Sequence, residues 1–199
     1  MTERIVFERL RCSWATAPES IVYHDEEWGM PQHDDRMLFE LLTLEGAQAG
    51  LSWLTVLRKR DGYRAAFQGF DPTTVSQFAA ATIDELVLDP RIVRHRGKIA
   101  ATVKNAAAFL AVQHEFGSFA DYLWRFVDGK PVLTHRPRDV ALPATTLLSD
   151  CISVDLKQRG FVFVGSTIVY AYLQATGVVN DHAADCFRAQ IDFAAAHST

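Results

Sequence analysis

Through most of the chain, apolar residues recur every three or four positions, and the breaks between these stretches fall at residues that cap helices. Asp34 or Asp35 is placed to cap a helix carrying Met37, Leu38, Phe39, Leu41 and Leu42, which runs on into a stretch of small residues. Ser52 caps a second helix, with Trp53, Val56, Leu57, Tyr63 and Phe67 on its apolar side and Arg58-Lys59-Arg60 on its polar side; Gly62 is its weak point. Two short helices follow, one from the cap-and-proline pair Asp71-Pro72 and one from the capping box Thr82-Ile83-Asp84-Glu85. Asp89-Pro90 breaks the chain before Ile99 to Glu115, a run of clear helical period that Gly117 closes. Ser118 opens a helix from Phe119 to Asp128, and Gly129 ends it. Ser149 caps Asp150 to Arg159, Gly160 stops that helix, and Gly165-Ser166-Thr167 starts Ile168 to Ala175, closed by Gly177. Asn180-Asp181 then caps a last helix, within 179–197, carrying His182 and Cys186. Arg11 to Gly29 shows no sustained period and reads as an ordered, aromatic-rich loop; Lys130 to Ala144, with three prolines, is the longest connection. Phe161-Val162-Phe163-Val164 has strand composition but is too short to found a sheet, so the expected fold class is all-α.

Composition narrows the class. The chain has 199 residues, 49 % of them hydrophobic and 22 % charged, enough to bury a core as one domain over 1–199 made of two intimate helical lobes with a cleft between them. A formal charge of −4 argues against gripping nucleic acid by bulk electrostatics, although a local basic face remains open. No apolar run reaches the length of a membrane span, and Met1-Thr2-Glu3-Arg4 lacks the order of a secretory signal, so a cytoplasmic protein without membrane contact is expected. Three cysteines point to metal binding or simple burial rather than to disulfides.

Four groups of residues carry candidate chemistry. Between Glu45 and Trp53 the chain reads Gly46-Ala47-Gln48-Ala49-Gly50-Leu51-Ser52, a path cleared of large side chains. It suits the wall of a slot for a flat ligand, with Trp53 as platform and Glu45 as polar reader, or equally a tight crossing of two helices. His182 and Cys186, four apart, would share one face of a helix; with Cys12 and His24 they would complete a Cys2His2 zinc site, structural because no position is left for water, and a buried cysteine beside a histidine is the plainer alternative. Cys151, among Ile152, Val154 and Leu156, reads as core. The turn from Arg159 to Ser166 would expose N–H groups at a helix start at Gly165, suited to a phosphate with Lys157 and Arg159 beside it, though ordinary glycine caps fit as well. Arg91, Arg94, Arg96, Lys98 and Lys104 form either a DNA face or a solvated, ion-paired surface.

Five strings in order, Tyr23-His24-Asp25-Glu26-Glu27-Trp28-Gly29, Leu44-Glu45-Gly46 through Leu51-Ser52-Trp53, Arg94-His95-Arg96-Gly97-Lys98-Ile99, Phe161-Val162-Phe163-Val164-Gly165 with Thr167-Ile168, and Val179-Asn180-Asp181-His182, resemble the 3-methyladenine DNA glycosylase I family of the helix-hairpin-helix DNA glycosylase superfamily. The likeness spans Arg11 to about Cys186. It implies a helix-hairpin-helix DNA glycosylase-like fold whose N- and C-terminal segments are joined by one structural Zn2+ on Cys12, His24, His182 and Cys186. It implies hydrolysis of the N-glycosidic bond of N3-methyladenine in double-stranded DNA, leaving an abasic site, by a monomer without a protein partner. Glu45 and Tyr23 fall at the family's catalytic positions, Trp53, Trp14 and Trp28 at its base-binding ones; Gly160 to Gly165, with Lys157 and Arg159, fall on its DNA-gripping hairpin, and Gly50-Leu51 where it approaches the gap left by the extruded nucleotide.

Methylation at N3 makes the adenine cationic and loosens its glycosidic bond, so an anion and electron-rich ring faces would select it, each cation–π contact contributing roughly 0.5–2 kcal/mol. Many superfamily members resembling this hairpin carry a catalytic aspartate where this chain has Asn180; Asp181 is either a substitute or a helix cap, and Asp181→Asn is expected to retain most excision while Glu45→Ala loses most. Two other readings stay open: a zinc-stapled module that binds a peptide or a base without catalysis, and a zinc hydrolase with an open coordination position.

Overall fold

The computed structural model describes residues 9–189. Its centre is the helix Asp35–Gln48, which Asp34 caps by accepting from the Met37 N–H at 2.8 Å. Leu38 through Ala47 are all buried, so this helix has no solvent face and other helices surround it. In chain order, α1 is Pro18–Glu26, α2 this central helix, α3 Trp53–Leu57, α4 Arg60–Ala66, α5 Pro72–Ser76, α6 Ala80–Leu88, α7 Arg96–Phe116, α8 Phe119–Trp124, α9 Leu147–Gln158 and α10 Ser166–Ala175. Helices α3, α7, α8 and α10 all contact α2. Phe39 packs on Phe109 tilted at 60° with centroids 5.2 Å apart, and Phe109 stacks on Phe119 at 4.1 Å. The expected all-α class holds for the bulk of the chain, with one exception: Val132–Leu133 (β1) pairs in parallel with Val179–Asn180 (β2).

The differences from the sequence reading have local causes. Arg11 to Gly29 is not a continuous loop, because α1 lies inside it; its buried face is Ser20, Tyr23 and His24, an i, i+3, i+4 stripe that is polar and aromatic rather than aliphatic. The helix after Ser52 breaks at Arg58-Lys59 rather than at Gly62, and Arg60 is not solvated but buried against Glu40 and Glu27. Ala79, not Thr82, precedes α6. The long helix starts earlier than Ile99, with the His95 ring accepting from the Lys98 N–H. The helix from Ser118 ends at Trp124 and passes into a 3-10 turn, Arg125–Val127. Thr146 caps α9, and Ser149 is its reciprocal partner in the capping box. Cys151 is exposed, because α9 turns it and Val154 away from Ile152 and Leu156.

The largest revision concerns 179–197. No helix forms over its described part, 179–189: β2 is followed by turns, and Asp181 caps nothing. The remainder, 190–197, lies outside the described residues. Main-chain pairing of Val179 and Asn180 with β1 ties the segment down in place of helical hydrogen bonds. Phe161 to Val164 likewise forms no strand; it is a tight turn in which Phe163 has φ +55.

Candidate active site

The C-terminal half of α2, the start of α3, α1 and α10 enclose a cavity of about 270 Å³. Tyr23, Glu45 and Trp53 line it, joined by Trp14 and Trp28, so the five residues singled out for base binding come together. The rings of Tyr23 and Trp53 lie 5.1 Å apart at 44°, and Trp14 stands edge-on to Trp28 at 5.1 Å. These surfaces form an aromatic box wide enough for a planar heterocycle. Glu45 sits 5 % exposed, and among the described residues no donor engages its carboxylate. Burial lifts its pKa to about 8. Tyr23 is held as the neutral phenol, first by burial and then by Glu45. Among the described residues, its hydroxyl and the Trp53 Nε1 are buried donors without partners.

How α2 ends decides where the small-residue stretch goes. Gly50 takes φ +80, which lets the chain leave the helix sharply, and Lys98 Nζ reaches across from α7 to the carbonyls of Ala47 at 2.8 Å and Ala49 at 2.6 Å. Gln48 Nε2 donates to the Leu51 carbonyl at 2.7 Å, and Leu51 is left exposed at the tip. The stretch therefore forms a wall of the cavity, which Glu45 faces, while Gly46 lies against Phe163 of the α9–α10 turn rather than at a crossing of two helices.

Behind the aromatic box lies a second cluster. Ligand atoms of Cys12, His24 and Cys186 all fall within 4.8 Å of one another, and all three residues are buried. The His24 Nδ1 is 2.8 Å from Asp25, which Arg11 holds, while its Nε2 faces the Cys186 sulfur at 3.4 Å. His182 lies next to this group, its ring centroid 5.0 Å from that of His24, although its nitrogens fall outside the tight triplet. The His182 Nδ1 pairs with Asn180 Oδ1 at 2.8 Å, and Nε2 is buried with no partner among the described residues. Burial pulls the His182 pKa down to about 4, whereas for His24 the bonds from Cys186 and Asp25 outweigh burial and raise it. The Cys186 thiol is drawn down by its contacts with Cys12 and His24. Trp28 packs on His182 at 4.6 Å and Trp14 on His24 at 5.3 Å, so the indoles that line the cavity rest on the histidines of this cluster.

A glycine guards this arrangement. A Cβ on Gly29 would fall 2.5 Å from His182 Cε1, and the residue has φ +77. Gly29→Ala is therefore expected to destabilise the fold by about 2 kcal/mol or more and to displace the His182 ring, read by denaturant unfolding. A variant that melts like the parent protein would refute the close approach.

The remaining candidates are spread more widely. Gly160 to Gly165 connects α9 to α10 in a turn pinned by Asn105, which donates to the Val162 carbonyl at 2.9 Å and accepts from its N–H at 2.8 Å. Ser153 adds a bond to the Val164 carbonyl, and no side chain caps Gly165. Lys157 is exposed, but Arg159 turns away from the turn to pair with Glu115 and Asp155 and to cover the rings of Phe116 and Tyr122. In the basic run, Arg91 pairs with Asp89, Arg96 with Asp84, and Lys98 with the end of α2; Arg94 and Lys104 stay exposed. Two of the five are thus ion-paired, one caps the end of α2, and two remain exposed. Sequence reasoning missed Gln174 and Leu142, which also line the cavity, and Asn105. Gln174 had a signal: it is a polar residue inside the apolar run Tyr170-Ala171-Tyr172-Leu173.

Comparison with known proteins agrees with this geometry. Residues 14–189 match the family model for methyladenine glycosylase. The DNA-3-methyladenine glycosylase 1 of Escherichia coli (strain K12) is 48 % identical over 177 residues, 88 % of this chain and 95 % of that protein. A crystal structure of 3-methyladenine DNA glycosylase I superposes with a TM-score of 0.87 at 49 % identity, covering 89 % of this chain and 98 % of that one. A variant of 3-methyladenine DNA glycosylase I solved in complex with 3-methyladenine gives a TM-score of 0.86 at 40 % identity, covering 88 % and 95 %. With an aromatic cavity over a buried carboxylate and a family match running from Trp14 to Ala189, this chain belongs to the methyladenine glycosylase family.

Proposed function

We propose that the protein is a monofunctional glycosylase that hydrolyses the N-glycosidic bond of N3-methyladenine in double-stranded DNA, leaving an abasic site. The observation that carries this reading is Glu45, a carboxyl group buried without a partner in a box of indole and phenol rings. Such a group is costly unless a cation arrives to meet it, and methylated adenine is a flat cation. The base leaves the stack at a cost of a few kcal/mol, stacks on Trp53 and Tyr23, and ionises Glu45 as it enters. The glycosidic bond, already weakened by the charge on the base, then breaks with little help from an acid. The Tyr23 hydroxyl and Trp53 Nε1 are free donors for the acceptor nitrogens of the ring.

DNA is gripped by α9, the pinned turn and α10 acting as a helix-hairpin-helix, with uncapped N–H groups at Gly165 for a phosphate and Lys157 alongside. Leu51, exposed at the Gly50 turn, fills the space the extruded nucleotide leaves. Cys12, His24, His182 and Cys186 hold one structural Zn2+. Two thiols and two imidazoles, one of them carrying the orphaned His182 Nε2, would fit that ion, and Asp25 and Asn180 orient the two rings. The ion joins the segment around Cys12 to that around Cys186; it takes no part in bond cleavage.

Chromatography of bases released from methylated DNA tests the assignment, with 3-methyladenine the expected product. Below about pH 8 the empty site holds Glu45 neutral, and above it the anion that a cation requires is already present. The release rate at subsaturating DNA should therefore rise with pH up to about 8 and then level off, whereas Glu45→Gln gives a lower, flat profile. DNA binding without base release would instead favour a non-catalytic module.

A further inference from the structure

The cavity holds a second fixed polar group besides Glu45. Gln174, on α10, lines the cavity and is 8 % exposed. Its Nε2 donates to Asp181 Oδ2 at 2.7 Å, and the same oxygen accepts the Tyr170 hydroxyl at 2.5 Å. Asp181 is 1 % exposed, so this is a buried polar chain of three side chains ending at the cavity. A carboxylate only accepts, which fixes the sense of the Gln174 amide: nitrogen toward Asp181, oxygen away from it. Flipping the amide would set two acceptors against each other. Among the described residues no donor engages Gln174 Oε1, and unlike the Tyr23 hydroxyl it is not sealed among other side chains.

We propose that Gln174 is a specificity-determining residue that reads position 6 of the purine: Oε1 accepts from the exocyclic amino group of an adenine and repels the oxygen that a guanine or hypoxanthine carries there. This rests on the glycosylase reading above and deepens it. Glu45 selects for positive charge, which methylated adenine and methylated guanine share; an acceptor locked in place separates the two by the sign of one group. Asp181 and Tyr170 are positioning residues that keep the amide from turning. This gives Asp181 a role apart from both alternatives weighed from the sequence, and it explains an uncapped aspartate buried beside β2.

The test quantifies 3-methyladenine and 3-methylguanine released from the same methylated DNA. Both bases carry the methyl group at N3, and their other difference, the 2-amino group, is common to every variant and cancels. Gln174→Met should lower the ratio of 3-methyladenine to 3-methylguanine release by about 10-fold, mainly through slower 3-methyladenine release. Asp181→Asn, whose carboxamide can donate to a flipped Gln174, should move the ratio the same way by about 3-fold, a smaller effect than that of Gln174→Met. Because the ratio is taken within one sample, partial loss of folded protein leaves it unmoved. An unchanged ratio in Gln174→Met, with an active parent protein, overturns the role of Gln174 alone. A parent protein that releases neither base overturns the glycosylase reading itself.

Discussion

Glu45→Gln lowers single-turnover release of 3-methyladenine by about 10²- to 10³-fold, the equivalent of roughly 3–4 kcal/mol for removing one partner of a desolvated charge pair. The glutamine keeps the shape of the side chain, so the loss reports the charge and the acceptor oxygen that the amide replaces with a donor. The same substitution has the opposite effect on stability. With its pKa raised to about 8 by burial, Glu45 destabilises the folded state progressively as pH climbs from the ordinary carboxylate range through 8. At pH 9 the variant should be more stable than the parent, by at most about 5 kcal/mol and less where water in the cavity screens the charge; near pH 4 the two should melt alike. Urea unfolding at the two pH values, set beside excision rates, checks both signs. A variant that excises at the parental rate, or gains no stability at high pH, would remove Glu45 from the centre of the mechanism.

Cys186→Ser is the second change with a large expected effect. Cys12, His24 and Cys186 converge within 4.8 Å, and the indoles of Trp14 and Trp28 lie against the neighbouring histidines. Apparent zinc binding in small structural sites reaches ~10–16 kcal/mol, and loss of one thiolate forfeits a good part of it. Even about 4 kcal/mol, at ~2–4 °C of melting temperature per kcal/mol for a chain of this size, lowers Tm by about 10 °C. Stoichiometric zinc should be found in the parent protein and not in the variant, and a strong chelator should bring the parent toward the variant's Tm. Excision falls indirectly, as the indole wall loosens. Purified parent protein without zinc, or a variant melting within about 2 °C of it, would reject the metal.

The helices that bury an aliphatic stripe, α2 and α7, were legible because their period and caps agree. α1 was not, since its buried stripe is Ser20, Tyr23 and His24. The segment after Val179 was misread for the converse reason: His182 and Cys186 have helical spacing, but the chain there is held by pairing with β1. Cys186 nevertheless converges with Cys12 and His24, because buried sulfur and imidazole can meet from turns as well as from a helix, while His182 lies beside them with its ring 5.0 Å from that of His24. The cavity was legible through Glu45 and Trp53, separated by residues too small to fill it. Gln174 escaped because its partner, Asp181, lies beyond a change of chain direction that no local pattern announces.

The joining of Cys12 and His24 to Cys186 also bears on the order in which the protein matures. On the ribosome, Trp14, Tyr23 and Trp28 emerge early, long before His182 and Cys186, against which their neighbours rest. A nascent chain therefore carries an unfinished aromatic wall, with greasy rings open to chaperones, until almost all of the described chain has been translated. The wall is complete only when the turns carrying His182 and Cys186 lie behind the indoles.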